Sequence, residues 1–256
     1  MTCPRDVLDM LLPADCAGCG RRRTVLCGEC RGRLCGGGPY RVRPAAAGLP
    51  AVFAAADYGG AVRAVILAHK ERGALPLAAP LGGALAGAVR AALDAARASP
   101  GGGGAAAGPV LLVPVPSAGR ATARRGHDPV RRVTRAAVRS LRRGGVPARS
   151  APLLRQGRPV ADQGGLGAAG RAANLAGALR VVPGGEAVLP GAVVVVVDDL
   201  VTTGASLAEA VRALRAAGGR PVAAAVVAGV RSPAAGAPPS GRGTGLEPAG
   251  PDDRSP

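Results

Sequence analysis

Aromatic residues are almost missing from this chain: it has no Trp, one Phe and two Tyr in 256 residues. Aromatic platforms for stacking nucleic-acid bases are therefore nearly excluded, and any core has to be built from Ala, Val and Leu. Lysine is just as scarce, with Lys70 the single one among 33 basic residues. An Arg-, Ala-, Gly- and Pro-rich, Lys-poor composition is what a GC-rich coding sequence produces. The net charge of +17 is accordingly weak evidence for nucleic acid, though it favours anionic partners, phosphates included. No apolar stretch approaches the roughly 18 to 20 residues that cross a bilayer. Asp6, Asp9 and Asp15 interrupt what would otherwise pass for a signal peptide, so a cytoplasmic chain is expected.

What is present divides the chain into three parts. Residues 1–45 form a Cys- and Arg-rich head, with a Gly/Pro/Ala break from Gly36 to Pro50. Residues 46–231 read as the main domain: a strand over Ala51 to Tyr58, helical apolar spacing at Val62, Val65, Ile66 and Leu67, and a second helix from about Leu77 to Arg97. After a Gly/Ala insertion from Ala98 to Gly108 come a strand at Val110 to Val115, a helix from about Pro129 to Arg142 and a polar stretch from Gln156 to Gly170. Pro114 and Pro116 lack N–H donors on the same side of their strand, so one edge there is expected to go unpaired. Pro221 to Val230 supplies the closing strand, and residues 232–256, rich in Pro, Gly and Ser, read as a disordered tail. Strands alternating with helices predict an α/β fold, a mostly parallel sheet flanked by helices.

The most informative segment is Val193-Val194-Val195-Val196-Val197-Asp198-Asp199-Leu200-Val201-Thr202-Thr203-Gly204-Ala205-Ser206-Leu207. Five consecutive β-branched residues predict a central strand covered on both faces. Two adjacent carboxylates would be costly in a core, so Asp198 and Asp199 are expected where the sheet stops, as acceptors for hydroxyls or a hydrated cation. Thr202, Thr203, Gly204, Ala205 and Ser206 then offer hydroxyls and approachable N–H groups ahead of an apolar-periodic helix, a place for a phosphate. The plainer reading is a strand with an acidic end and a Thr or Ser helix N-cap. No Gly-Lys-Ser/Thr follows the strand, which disfavours a Walker-type phosphate loop.

The head carries a second constellation, Cys16-x-x-Cys19 and Cys27-x-x-Cys30. Four thiolates at this spacing can close a tetrahedral zinc site, and a segment with so little apolar content would draw its folding energy from the metal. Redox or disulfide use, and unligated thiols, are the alternatives; a cytosolic chain argues against stable disulfides. Cys3 and Cys35 are left over and read as plain thiols rather than ligands. His69, Lys70 and Arg72 have two readings, stabilisation of a helix C-terminus before Gly73 or contact with substrate. His127 followed by Asp128 suggests an oriented base, with no nucleophile in view.

The run from Val193 to Leu207 resembles the ribose-phosphate signature of type I phosphoribosyltransferases, and the head together with the main domain resembles the ComF family. Further likeness lies in Asp6 to Pro13, Leu67 to Gly73, Val113-Pro114-Val115-Pro116 with Arg120, Arg125 and Gly126, and the stretch with Leu153, Leu154, Arg155, Arg158, Gln163, Leu166, Arg171, Asn174 and Gly177. The resemblance implies a type I phosphoribosyltransferase fold with a small N-terminal zinc-binding ribbon. It implies that Asp198 and Asp199 hold ribose hydroxyls, that Thr202 to Ser206 wrap the 5′-phosphate of phosphoribosyl pyrophosphate, and that Ser117, Arg120 and Arg125 belong to a pyrophosphate loop. Mg²⁺ would accompany the substrate and Zn²⁺ would be structural. The stretch before the motif strand would occupy the place of a catalytic hood. The chain departs from the family where many members carry Gly-Phe-Asn-Gln and it has Gly126-His127-Asp128-Pro129, and where hood positions usually charged are Gly167, Ala168 and Gly170. Purine-salvage enzymes of the wider superfamily usually place an Asp general base where this chain has Thr202, so hypoxanthine-type chemistry is not favoured and the resemblance leaves the acceptor base open. The family's association with DNA uptake in competence implies an alternative, a non-catalytic accessory or regulatory protein whose partner would be single-stranded DNA or a protein of the competence machinery.

Overall fold

Val193 to Val197 open strand β7 (Val193–Val201), and all five are buried. Their alternation explains how one strand serves two cores: Val193, Val195 and Val197 pack into one apolar cluster, Val194 and Val196 into another. The computed structural model describes residues 15–99, 108–117, 127–158 and 168–230. In it β7 lies inside a six-stranded sheet, between β3 (Val110–Pro114) and β8 (Pro221–Gly229) and parallel to both. Beyond β3 lies β4 (Ala148–Ser150), also parallel, at one edge. Beyond β8 come β2 (Ala51–Asp57), parallel, and then β1 (Tyr40–Val42), antiparallel, at the other edge. β1 falls inside the Gly/Pro/Ala-rich break, where the sequence gives no strand signal. The strands β5 (Leu154–Gln156) and β6 (Leu179–Val181) form a separate antiparallel pair.

The helices, numbered in chain order, are α1 (Gly28–Cys35), α2 (Gly60–Glu71), α3 (Ala78–Ala98), α4 (Pro129–Arg143), α5 (Ala168–Leu175) and α6 (Ala205–Ala216). Leu81, Leu85, Val89 and Leu93 of α3 and Val133, Ala137 and Leu141 of α4 cover one face of the sheet. Leu207, Val211 and Leu214 of α6 cover the other, with Leu154 and Leu179 of the small hairpin. α3 and α4 approach closely at Gly82, where a Cβ would stand 2.4 Å from Ala136 Cβ and 2.7 Å from Ala137 N. That contact exists because the residue has no side chain.

The segment Leu75–Ala98, 24 residues with mean hydropathy 1.3, is long and apolar enough by length and composition to cross a membrane, contrary to the sequence expectation. Gly and Ala dilute its apolar run, which hides it from a reading by eye. Buried α3 side chains pack against α4 and the sheet, as a core helix does.

The head does not stand apart. Cys16, Leu26, Cys27, Cys30 and Leu34 belong to the same cluster as Val65 and Leu85. A Cβ on Gly18 would lie 2.7 Å from Cys30 Sγ and 3.2 Å from Ala61 Cβ, so the first Cys-x-x-Cys turn is pressed against the start of α2. The Ala98 to Gly108 insertion, for residues 100–107, and the tail from 231 onward lie outside the described residues.

Candidate functional site

Parallel neighbours end on the same side of a sheet, and β3 and β7 run in register with Pro114 opposite Val197. Ser117 therefore leaves the sheet beside Asp198, on the side where α/β folds collect ligands. Asp198 has lost its β3 neighbour but not its β8 one: contrary to expectation the sheet does not stop at the acidic pair, because β7 runs on to Val201 and Asp198 still pairs with Val226. Beyond Leu112, β3 has no ladder partner in β4, which pairs only with Val110 to Leu112; the free side expected from Pro114 and Pro116 is the β4 side. Arg120 and Arg125 lie outside the described residues, as do Gln163 and Leu166 of the hood stretch.

After β7, Asp198, Leu200, Val201, Thr202, Thr203, Gly204, Ala205, Ser206 and Leu207 line a cavity of about 210 Å³. Gly204 is the N-cap of α6, in a left-handed conformation at φ 84°, and no side chain caps the helix. Gly204 rather than Thr or Ser is the N-cap, and although Ala205 N reaches Thr203 Oγ1 at 3.5 Å, the N–H groups that follow it in the first turn of α6 can serve a ligand. Only glycine suits the position for a second reason: a Cβ there would stand 2.6 Å from Pro44 Cβ and 3.0 Å from Leu49 Cδ1. The segment around Pro44 to Leu49 is drawn over the loop by a hydrogen bond from Ala46 N to Thr203 O at 3.0 Å and another from Arg215 Nη1 to Gly48 O at 2.7 Å.

The two carboxylates are neighbours: Asp198 lines the cavity, Asp199, 7% exposed, meets Lys70, and both the Asp199 side chain and the Lys70 charge act on Asp198. Lys70 Nζ lies 2.9 Å from Asp199 Oδ2, an oxygen that accepts no hydrogen bond among the described residues. Asp198 Oδ1 accepts from Asp199 N at 2.8 Å. Burial and the adjacent Asp199 charge hold the Asp198 carboxyl well above the usual carboxylate range, against an opposing pull from Lys70.

His69 precedes Lys70 and is 2% exposed. Its Nδ1 lies 3.2 Å from Ala74 O, and its ring centroid is 5.9 Å from that of His127. Burial lowers its pKa, and the neighbouring His127 and Arg132 add to the effect. Asp128 Oδ1 accepts from Arg131 N at 3.0 Å, which makes Asp128 the N-cap of α4 ahead of Pro129.

Sequence reading missed the anchor of the small hairpin. Glu209 on α6, 5% exposed, accepts from Leu179 N at 2.9 Å and from Arg212 Nη2 at 2.8 Å, and Arg212 Nη2 also donates to Leu179 O at 3.0 Å. Burial would raise the Glu209 carboxyl, but the bonds from Arg212 and from backbone N–H groups prevail and lower it. A Glu three residues before an Arg on a helix reads from sequence as a surface pair, and no local signal says it is buried.

In the head, the sulfur atoms of Cys16, Cys19, Cys27 and Cys30 all lie within 4.8 Å of one another, Cys19 and Cys27 at 3.6 Å. A tetrahedral Zn–S₄ centre places its sulfurs about 3.8 Å apart, so the donor set is compatible with a zinc ribbon. Burial acts to raise the Cys16 thiol, yet hydrogen bonds from backbone N–H groups, Cys27 N at 3.3 Å among them, bring it down to about 6. Burial pushes the Cys30 thiol up, and its three sulfur neighbours add to this. Cys35 is exposed and outside the cluster.

Compared with curated proteins, the chain matches none. The family model for the phosphoribosyl transferase domain matches residues 46–241, a span that takes in every strand of the main sheet except β1, and the loop between β7 and α6 as well. With the mostly parallel sheet, the acidic pair late in β7 and the Gly204 N-cap of α6 in place, the chain belongs to the phosphoribosyl transferase domain family.

Proposed function

We propose that the chain binds phosphoribosyl pyrophosphate at the carboxyl edge of the sheet and transfers its phosphoribosyl group to a nitrogen nucleophile. The bond from C1 of the ribose to pyrophosphate oxygen breaks, a bond from C1 to the acceptor nitrogen forms, and the acceptor loses a proton. The observation that carries the reading is the open N-terminus of α6 behind Gly204, in the same cavity as the Asp198 carboxylate. The 5′-phosphate would take the N–H groups and hydroxyls of Thr202 to Ser206, while Asp198 and Asp199 would accept from ribose hydroxyls. Asp199 Oδ2 carries the Lys70 ammonium at 2.9 Å and accepts no hydrogen bond among the described residues, so it can still take one from a ribose hydroxyl. Mg²⁺, when bound with the substrate, supplies charge neutralisation of the leaving pyrophosphate. Ser117, Arg120 and Arg125 would hold that group from the end of β3.

We read the head as the structural zinc ribbon of a ComF-like chain, held by Cys16, Cys19, Cys27 and Cys30. A specific observation favours a second reading alongside it. Arg132, Arg135, Arg139 and Arg143 of α4 are all exposed, at three- and four-residue spacing along one face, which suits a phosphate backbone. A non-catalytic accessory role with single-stranded DNA would use that face.

Calorimetric titration with phosphoribosyl pyrophosphate and Mg²⁺, repeated with single-stranded DNA, tests both. Replacing Asp198 and Asp199 by Asn should weaken substrate binding by about a hundredfold or more, the loss of two charge-assisted bonds. Near-normal binding by the double variant would remove the assignment. Absence of binding by the native chain, with DNA binding retained, would leave the accessory reading.

A further inference from the structure

Lys70 stands out first by its rarity. In a chain that writes every other one of its 33 basic residues as arginine, the one ammonium is placed on a buried carboxylate of the site. A helix C-terminus needs no such choice, since any cation serves the macrodipole, and Arg72 follows two residues later. Charge on the surface needs none either. A compact ammonium differs from a planar guanidinium in what it fits: it can rest as a point charge on one carboxylate oxygen. Nζ lies 2.9 Å from Asp199 Oδ2, the Asp199 side chain being 10% exposed and that of Lys70 32%. Asp199 Oδ2 accepts no hydrogen bond among the described residues, so on that oxygen the charge contact with Lys70 is what opposes the crowding of the adjacent Asp198 carboxyl.

The base of Lys70 is itself held. His69, the residue before it, is buried, with Nδ1 3.2 Å from Ala74 O and its ring against His127 at the start of α4. The last turn of α2 thus spans from the end of β7 to the segment that follows the expected pyrophosphate loop. An anchored turn with a flexible four-carbon stem gives Lys70 a fixed origin and an adaptable tip.

We infer that Lys70 is a positioning residue of the ribose site, an ammonium that sets the Asp199 carboxylate for the ribose hydroxyls and that arginine cannot replace. The inference rests on the phosphoribosyl pyrophosphate reading above. It makes Lys70 act through Asp199 rather than on the pyrophosphate.

The test is calorimetric titration of phosphoribosyl pyrophosphate with Mg²⁺, and of ribose 5-phosphate alone, into the native chain and the variants K70M, K70R, R72M, D199N and K70M/D199N. K70M should weaken both ligands by a similar factor, about tenfold, with K70R close to K70M and R72M close to native. In the D199N background the same Lys70 change should cost less than about twofold, because the coupling runs through Asp199. Native-like binding by K70M or K70R would overturn the inference. So would an equal loss in the D199N background, or a loss for phosphoribosyl pyrophosphate alone, which would make Lys70 a pyrophosphate ligand. Where K70M fails to fold, K70R decides, since it keeps charge and bulk. A native chain that binds neither ligand takes down the functional reading itself, whereas native binding with unaffected Lys70 variants takes down only this step.

Discussion

The four-cysteine head and the valine strand β7 are held in place by different physics, although both reach into one apolar cluster. α1, with sequence GECRGRLC, buries only Cys30 and Leu34, so little of its position comes from removing apolar surface from water. β7 buries seven of its nine residues, and each buried Val stabilises by roughly 1.5 to 3 kcal/mol. Force in the head is concentrated in a few sulfur atoms, and in the sheet it is spread over many methyl groups. The first should fail all at once and the second by degrees.

The sharpest way to break the comparison is Cys16→Ser with Cys30→Ser. Elemental analysis should find one zinc per native chain and almost none in the double variant. The cluster formed with Val65 and Leu85 should open with it, read as a lower melting temperature and greater proteolysis before residue 40. A zinc-free native chain with the same melting temperature would erase the contrast.

Gly82→Val strikes the other side. Its Cβ would meet backbone and side-chain atoms of Ala136 and Ala137 within 2.8 Å, so α3 and α4 must part. A loss of about 3 kcal/mol is expected from denaturant unfolding, with the zinc content unchanged. Next comes Glu209→Gln, which leaves Arg212 without its carboxylate and should cost about 2 kcal/mol at pH 7. The sign of its pH dependence follows from the lowered Glu209 pKa. The native contribution is full above the unfolded value near 4.3, and it is lost as pH falls through the lower folded value. The Gln variant should therefore converge with the native chain in acid.

The smallest effect belongs to His69. Its pKa is lowered by burial, so the unfolded chain takes up the proton first, and stability should decline as pH falls below the unfolded value near 6.5. His69→Gln should flatten that decline by about 1 kcal/mol in thermal scans between pH 7 and 5. An equal slope in both chains would place the titration elsewhere.

Much of the fold was legible because its signals are local. β2 is observed at Ala51–Asp57 where the pattern gives Ala51 to Tyr58, and α4 at Pro129–Arg143 where it gives Pro129 to Arg142. β1, β5 and β6 were not, since three-residue strands owe their conformation to a partner rather than to their own side chains. Asp198 and Asp199 were expected where the sheet stops, but β7 runs on to Val201 alongside β8, and how far a strand continues depends on its neighbour rather than on its own residues. The pairing of Lys70 with Asp199 joins distant parts of the chain and is invisible to any window of sequence. The buried Glu209 is missed for the same reason, as its partner Leu179 lies in another element.

Both outer strands of the sheet, β1 and β4, are only three residues long, and each carries an exposed arginine at its centre, Arg41 and Arg149. A long bare edge would offer a row of unpaired N–H and C=O groups on which another chain could polymerise. Here the ladder stops early on both sides, and an incoming strand would have to pass over a fixed positive charge. The run of five valines, which would be aggregation-prone at a border, is thereby kept at least two strands in from either short, charged edge.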